Sequence, residues 1–190
     1  MNTKLEKLSE KELLTLFQDK NSAEKAFAEI YSRYSRQVWA YCLKITGNNE
    51  DANDIFQEVF INFHNAIATG QEISNIKYYL ISIARNTFLN QKRKNSKLVN
   101  IDEIHSLIND NTADNYILKN EQNELINMAI DSLPLEYKEV FVLRLYQGFT
   151  YQEITDLLGI PVSTIKNRIF RAREKVKSIL APYFDDKDFR

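Results

Sequence analysis

Cysteine, proline and glycine are nearly absent from this sequence. Its 190 residues include one cysteine, three prolines and four glycines. A lone cysteine cannot form an internal disulfide, so no disulfide framework holds the fold. The place of Cys42 on an apolar helical stripe predicts a buried thiol rather than a reactive one. Three prolines and four glycines are too few for a turn-rich all-β protein. All four glycines, Gly47, Gly70, Gly148 and Gly159, fall at predicted helix boundaries or in loops. No apolar run approaches the roughly twenty residues that a membrane span needs, and nothing resembles a signal peptide. A cytoplasmic protein with no direct membrane insertion is expected. Histidine is scarce too, and His64 and His105 lie in unrelated contexts. No Gly-rich phosphate loop, clustered His/Cys metal site or nucleophile–base pattern appears. The expectation is therefore a protein that is not an enzyme, with no catalytic residue, metal or cofactor.

What the chain does have is helical periodicity and an uneven spread of charge. With 44% hydrophobic residues it can bury one moderate core or two small ones. Net charge is only −1, but its distribution is telling. From Ile73 to Ile101 there is no acid, while Lys77, Arg85, Lys92, Arg93, Lys94 and Lys97 are basic. From Asp102 to Glu124 acids outnumber the single Lys119, and Lys166 to Lys177 is basic again apart from Glu174. Basic faces of this kind are electrostatic footprints for nucleic acid.

The strongest local signal runs from Phe149 to Lys177. Thr150 and Glu153 have the spacing of a reciprocal capping box, and Phe149 and Ile154 that of a hydrophobic staple. A short helix through Leu158 is predicted to stop at Gly159, with Ile160-Pro161-Val162 as a tight connection. Ser163 is predicted to cap the second helix. There Ile165, Ile169, Ala172, Val176 and Leu180 form the inward stripe, leaving Lys166, Asn167, Phe170, Arg171 and Glu174 outward. A short helix, a Gly-containing turn and a longer basic helix make a helix-turn-helix, which lays its second helix in a DNA major groove. An ordinary helical hairpin with a solvated basic face is the weaker reading, because cap, staple, turn and charge coincide.

Upstream, Ser9 and Glu12 repeat the capping-box pattern ahead of a short helix with Leu13, Leu14 and Phe17 on its apolar side. A longer helix is predicted from about Ser22 to Thr46, with Phe27, Ile30, Tyr31, Tyr34, Val38, Tyr41, Cys42 and Ile45 on one face. After Gly47, Asn48 or Asn49 restarts a helix with Asp51 in its first turn. Its inward residues are Ile55, Phe56, Val59, Phe60, Phe63 and Ile67; Asp54, Gln57, Glu58 and Asn62 stay outside, on composition alone as solvated residues.

Ala68 to Asn75 is a loop, and Ile76 to about Lys94 a helix. Tyr79, Leu80, Ile83, Ala84, Thr87 and Phe88 are assigned inward; Arg85, Asn86, Asn90, Arg93 and Lys94 outward. Tyr78 and Tyr79 suit either base stacking beside cations or ordinary core packing. Asn95 to Thr112 is polar, acidic and aperiodic, as a flexible linker is. Periodicity resumes near Asp114 with Leu125, Ala129, Ile130 and Leu133. Pro134 then sits early in a new helix lined by Val140, Phe141, Leu143, Leu145 and Tyr146.

Two blocks resemble a known family. EDANDIFQEVFINFHNAI with YYLISIARNTFLNQKRK is similar to region 2, and LPLEYKEVFVLRLYQGFTYQEITDLLGIPVSTIKNRIFRAREKVK to region 4, of the extracytoplasmic-function (ECF) subfamily of bacterial RNA polymerase sigma factors. The resemblance implies an all-α fold of two small helical domains. Residues 1–95 would be the region 2 domain, 96–113 the linker and 114–190 the region 4 domain carrying the helix-turn-helix. It implies a subunit that binds core RNA polymerase and directs promoter-specific initiation.

By the same resemblance Asp54, Gln57 and Glu58 match positions that contact the core polymerase, which replaces the solvation reading. Asn86 and Asn90 match minus-10 readers that capture a flipped base, flanked by Tyr79, Arg85, Arg93 and Lys94, with the loop 68–75 as specificity loop. Ser163, Thr164, Lys166, Asn167, Phe170 and Arg171 fall to minus-35 recognition. Many relatives have Arg or Ser where Lys166 and Asn167 stand, so the upstream sequence read is not transferable. The implied partners are core polymerase, promoter DNA and an anti-sigma factor, in many members membrane-anchored. A free-standing helix-turn-helix regulator would leave the first block without a role.

Overall fold

The computed structural model describes residues 5–19, 21–98 and 121–183, all of whose regular elements are helical. They fall into two compact units, one on either side of residues 99–120. Most of the segment 96–113, read as a linker, and the helical restart at Asp114 lie outside the described residues, as does His105.

In the first unit, α1 (Glu10–Gln18) begins where Ser9 and Glu12 close their capping box. The Ser9 N–H and hydroxyl both donate to the Glu12 carboxylate at 2.7 Å, holding that carboxyl below its ordinary range. Helix α2 (Ala23–Thr46) ends at Gly47, and α3 (Asn49–Ala68) starts on Asn48, whose side chain accepts from the Asp51 N–H. Helix α4 (Ile76–Leu98) follows the loop. It runs four residues past Lys94, into the stretch read as linker. No glycine or proline interrupts it.

Helices α1, α3 and α4 all pack on α2, and α3 also packs along α4. The core includes Leu13, Ile30, Tyr41, Ile55, Val59, Phe63, Ile76, Leu80 and Ile81, none more than 1% exposed. Cys42 is wholly buried, and burial pushes its thiol up to about 12, so the thiol stays neutral and unreactive near neutral pH. Tyr31, assigned to the inward stripe, is instead 42% exposed. Its ring lies across Phe60 and Phe56 at 4.8 and 6.1 Å, at the rim of the α2–α3 seam. The apolar stripe of α2 is wider than the surface α3 covers.

In the second unit α5 (Glu121–Asp131), α6 (Leu135–Phe141) and α7 (Tyr151–Leu158) surround α8 (Val162–Leu180). Pro134 is the N-cap of α6, where its missing N–H is no loss. Beyond Phe141 the helix widens into a π turn over Val142–Tyr146: the Gln147 N–H bonds the Val142 carbonyl, five residues back, at 3.0 Å. One extra residue per turn shifts the following side chains by about 100°. Leu145 and Tyr146, expected on the apolar side, are therefore exposed, and Gln147 is turned inward.

Thr150 and Glu153 close the predicted capping box on α7, and Phe149 and Ile154 are both buried beside it. Gly159 caps its end at φ +68°, where an added Cβ would meet nothing within 4 Å. The cost of a side chain there is the left-handed backbone alone. Gly159→Ala is expected to destabilise this unit by about 1–2 kcal/mol, seen as a lower denaturation midpoint by circular dichroism.

The cap of α8 differs from expectation. Pro161, extended at φ −61° and ψ 150°, is the N-cap, and Ser163 is the second helical residue, not the cap. The proline ring sets the entry φ and has no N–H to satisfy, so the helix begins two residues earlier, without a side-chain cap.

Candidate nucleic-acid interface

Three exposed faces arise from these helices. On α3 the residues Asp54, Gln57 and Glu58 stand at i, i+3 and i+4, and all are exposed on one face. Ile61, one turn on along that face, is 59% exposed. Beneath it Ile55, Val59 and Phe63 anchor α3 in the core, so the face is presented by a rigid support.

On α4, Asn86, Asn90, Arg93 and Lys94 are exposed at i, i+4, i+7 and i+8, while Arg85 is half-buried at the edge. Their support is Leu80, Ile81, Ala84 and Thr87, all buried. Tyr79 is half-buried, its ring centroid 6.3 Å from Phe63, so it packs on the core while staying partly accessible. An Asn amide carries a donor and an acceptor in one plane, which fits the edge of a base.

On α8, Ser163, Lys166, Asn167, Phe170, Arg171 and Glu174 form an unbroken exposed face, with Phe170 58% exposed. Exposing a phenylalanine that fully is unusual for a solvated face and fits contact with a thymine methyl. Opposite, Ile165, Ile169 and Ala172 are buried, which fixes the rotation of the helix. Thr164 is half-buried, in an open groove of about 410 Å³ shared with Ser163, Asn167, Arg168, Glu136 and Tyr137.

Two supporting contacts were not legible in the sequence. The Tyr151 ring is approached by Arg144, 4.8 Å from its centroid, and by the Lys166 ammonium at 5.5 Å. Arg144 also donates to the Phe149 carbonyl at 2.8 Å. A cation–π contact of this kind is worth about 0.5–1 kcal/mol when exposed and holds Lys166 near the start of α7. Arg168 pairs with Glu136 at 2.9 Å, tying α8 to the first turn of α6. With Glu136 half exposed the pair stabilises little, about 0–1 kcal/mol, but it restrains the helix that carries this exposed face. Both need residues from different helices, so helical spacing alone could not reveal them.

No helix among the described residues is long and apolar enough to cross a membrane, and none of their His, Cys, Asp or Glu residues group in a way that could hold a metal.

The sequence of each unit matches a separate family. Residues 30–98 match Sigma-70 region 2, and residues 123–176 match Sigma-70, region 4. The class is thus a sigma-70-type transcription factor with an all-helical fold. The chain is 29% identical over 170 residues to the ECF RNA polymerase sigma-E factor of Haemophilus influenzae, covering 84% of this chain and 89% of that one. It is 28% identical over 152 residues to the ECF RNA polymerase sigma factor SigM of Bacillus subtilis, covering 80% and 93%. In fold it is similar to the sigma factor RpoE of Bartonella quintana, solved in complex with the anti-sigma factor NepR, at TM-score 0.66 and 22% identity over 84% of this chain and 99% of that one. The chain belongs to the ECF-type sigma factors and so serves to direct transcription initiation.

Proposed function

We propose that the three exposed faces divide the work of initiation: α3 docks on core RNA polymerase, α4 opens and holds the minus-10 element, and α8 reads the minus-35 element. Asp54, Gln57 and Glu58 supply a polar, net-negative docking face. Opening the duplex means unstacking bases, a few kcal/mol per step, and capture of a flipped base offsets part of that. Asn86 and Asn90 are the base readers, with Tyr79 at the edge of the opening and Arg85, Arg93 and Lys94 drawing the strand's phosphates to the helix. Ser163, Thr164, Lys166, Asn167, Phe170 and Arg171 meet intact duplex, where the uncapped first turn of α8 also offers backbone N–H groups to a phosphate.

The division carries the domain assignment with it: a region 2 domain over residues 1–95, a linker over 96–113 and a region 4 domain over 114–190. The partners are core polymerase, promoter DNA and, by family resemblance, an anti-sigma factor that holds the protein inactive. The setting is the cytoplasm. The observation that carries the proposal is the pairing of exposed Asn86 and Asn90 on one unit with the exposed Lys166-to-Arg171 face on the other. The test is reconstitution. Core polymerase with this protein should start transcription at discrete positions on genomic promoter DNA, and initiation no better than core alone would remove the reading.

A further inference from the structure

The segment ahead of α2 matches neither family, yet it reaches the base-reading helix. We infer that Glu10, the first residue of α1, is a positioning residue for the minus-10 helix, acting as a remote cap on α4 from 66 residues away. Its Oε2 accepts the Ile76 N–H at 2.9 Å, and its Oε1 accepts the Tyr34 hydroxyl at 2.5 Å. Ile76 is the first residue of α4 and is wholly buried.

Helix N-termini leave their first N–H groups without intrahelical acceptors. In α4 the work is shared. Asn75 accepts the Tyr78 N–H through its side chain at 2.8 Å and the Tyr79 N–H through its carbonyl at 3.1 Å. The Ile76 N–H, buried and beyond reach of that cap, goes to Glu10. A carboxylate there also suits the positive end of the α4 dipole, which has no acid in its own first turn.

The carboxylate is held in place from two sides. Tyr34 of α2 donates to it, and burial together with this bond pushes the Tyr34 phenol well above its ordinary value, so it stays a donor. Arg33 donates to the Leu8 and Leu5 carbonyls, both at 2.7 Å, with its Nε on Glu29 at 2.6 Å, which pins the backbone leading into α1. One arginine thus fixes the segment and one tyrosine aims the glutamate. The junction so fastened is where the loop 69–75 enters α4, one turn from Tyr79. Without it the first turn of α4 frays, and with it the placement of the loop and Tyr79 against the opening duplex.

This inference rests on the assignment of α4 to the minus-10 element, and the experiment separates the two. Complete protein assembled with core polymerase is assayed for thymine reactivity to permanganate in the minus-10 region, beside core-binding affinity and amide exchange at residues 76–79. Glu10→Ala is expected to slow promoter opening about five- to tenfold and to speed exchange at those amides, with core binding unchanged. Glu10→Gln keeps an acceptor for Ile76, and its amide can donate to a reoriented Tyr34 hydroxyl, so it should stay within about twofold of the parent. Wild-type opening in Glu10→Ala overturns the inference, as does equal loss in Glu10→Gln or a parallel loss of core binding. If the Asn86→Ala, Asn90→Ala double variant opens promoters normally, the assignment of α4 fails instead.

Discussion

Phe63→Ala is expected to cost the first unit about 3–5 kcal/mol, enough to leave much of it unfolded near body temperature. Phe63 is wholly buried on α3, and its ring meets Tyr79 of α4 at 6.3 Å, tilted by 53°. Deleting it removes a large apolar surface and leaves a cavity between two helices whose exposed faces carry the residues proposed to dock on polymerase and to read bases. Trp39 is the sole tryptophan and lies on α2, against Phe56 at 5.6 Å, so its fluorescence reports this unit alone. Urea unfolding followed by Trp39 should therefore show a markedly lower midpoint, while helical signal from the second unit persists at that urea concentration. A loss below about 1 kcal/mol would mean that α3 and α4 are held together by something other than this contact. The functional consequence is joint: core binding and minus-10 opening fall together, unlike the isolated opening defect expected of Glu10→Ala.

That contrast marks where the sequence was informative. Signals confined to a few residues were readable, because their physics is local. Ser9 with Glu12, Thr150 with Glu153, and the left-handed stops at Gly47 and Gly159 each form within one turn of chain. The outward placement of Asp54, Gln57, Glu58, Asn86, Asn90, Lys166, Asn167, Phe170 and Arg171 followed from a 3.6-residue period and needed no partner. Features that depend on a second helix were not readable. Glu10 scans as an ordinary first-turn acid of α1, and only the folded chain brings it to Ile76. Tyr151 reads as a helix-start aromatic until Arg144 and Lys166 are seen against its ring. The π turn at Val142–Tyr146 defeats periodicity itself, since a fixed 3.6 step carries Leu145 and Tyr146 to the wrong side. The roles of the exposed residues came from family resemblance, because exposure alone does not tell a docking face from a solvated one.

Arg171 and Lys166 offer the sharpest test of the reading face proposed on α8, because the structure gives them different restraints. Arg171 is exposed on the outer face of α8, next to the exposed Phe170 and one turn beyond Asn167, where a major groove would lie. A guanidinium there can bond a guanine edge in bidentate fashion, so Arg171→Ala is expected to weaken minus-35 recognition by about 1–3 kcal/mol and to relax preference at one base pair. Lys166 sits at the Tyr151 ring, held toward the start of α7, a position that favours a phosphate over a base. Lys166→Ala should therefore weaken binding evenly across sequences and reduce the salt dependence of affinity by about one unit of slope. Tyr151→Leu, which removes the π face but keeps apolar bulk, should loosen Lys166 and produce a smaller loss of the same kind. Holoenzyme binding to promoter duplexes with single minus-35 substitutions, titrated over a range of salt, reads both effects at once. An Arg171→Ala protein that keeps its full sequence preference would assign Arg171 to the backbone, leaving Asn167 and Phe170 as the residues on this face that can distinguish bases.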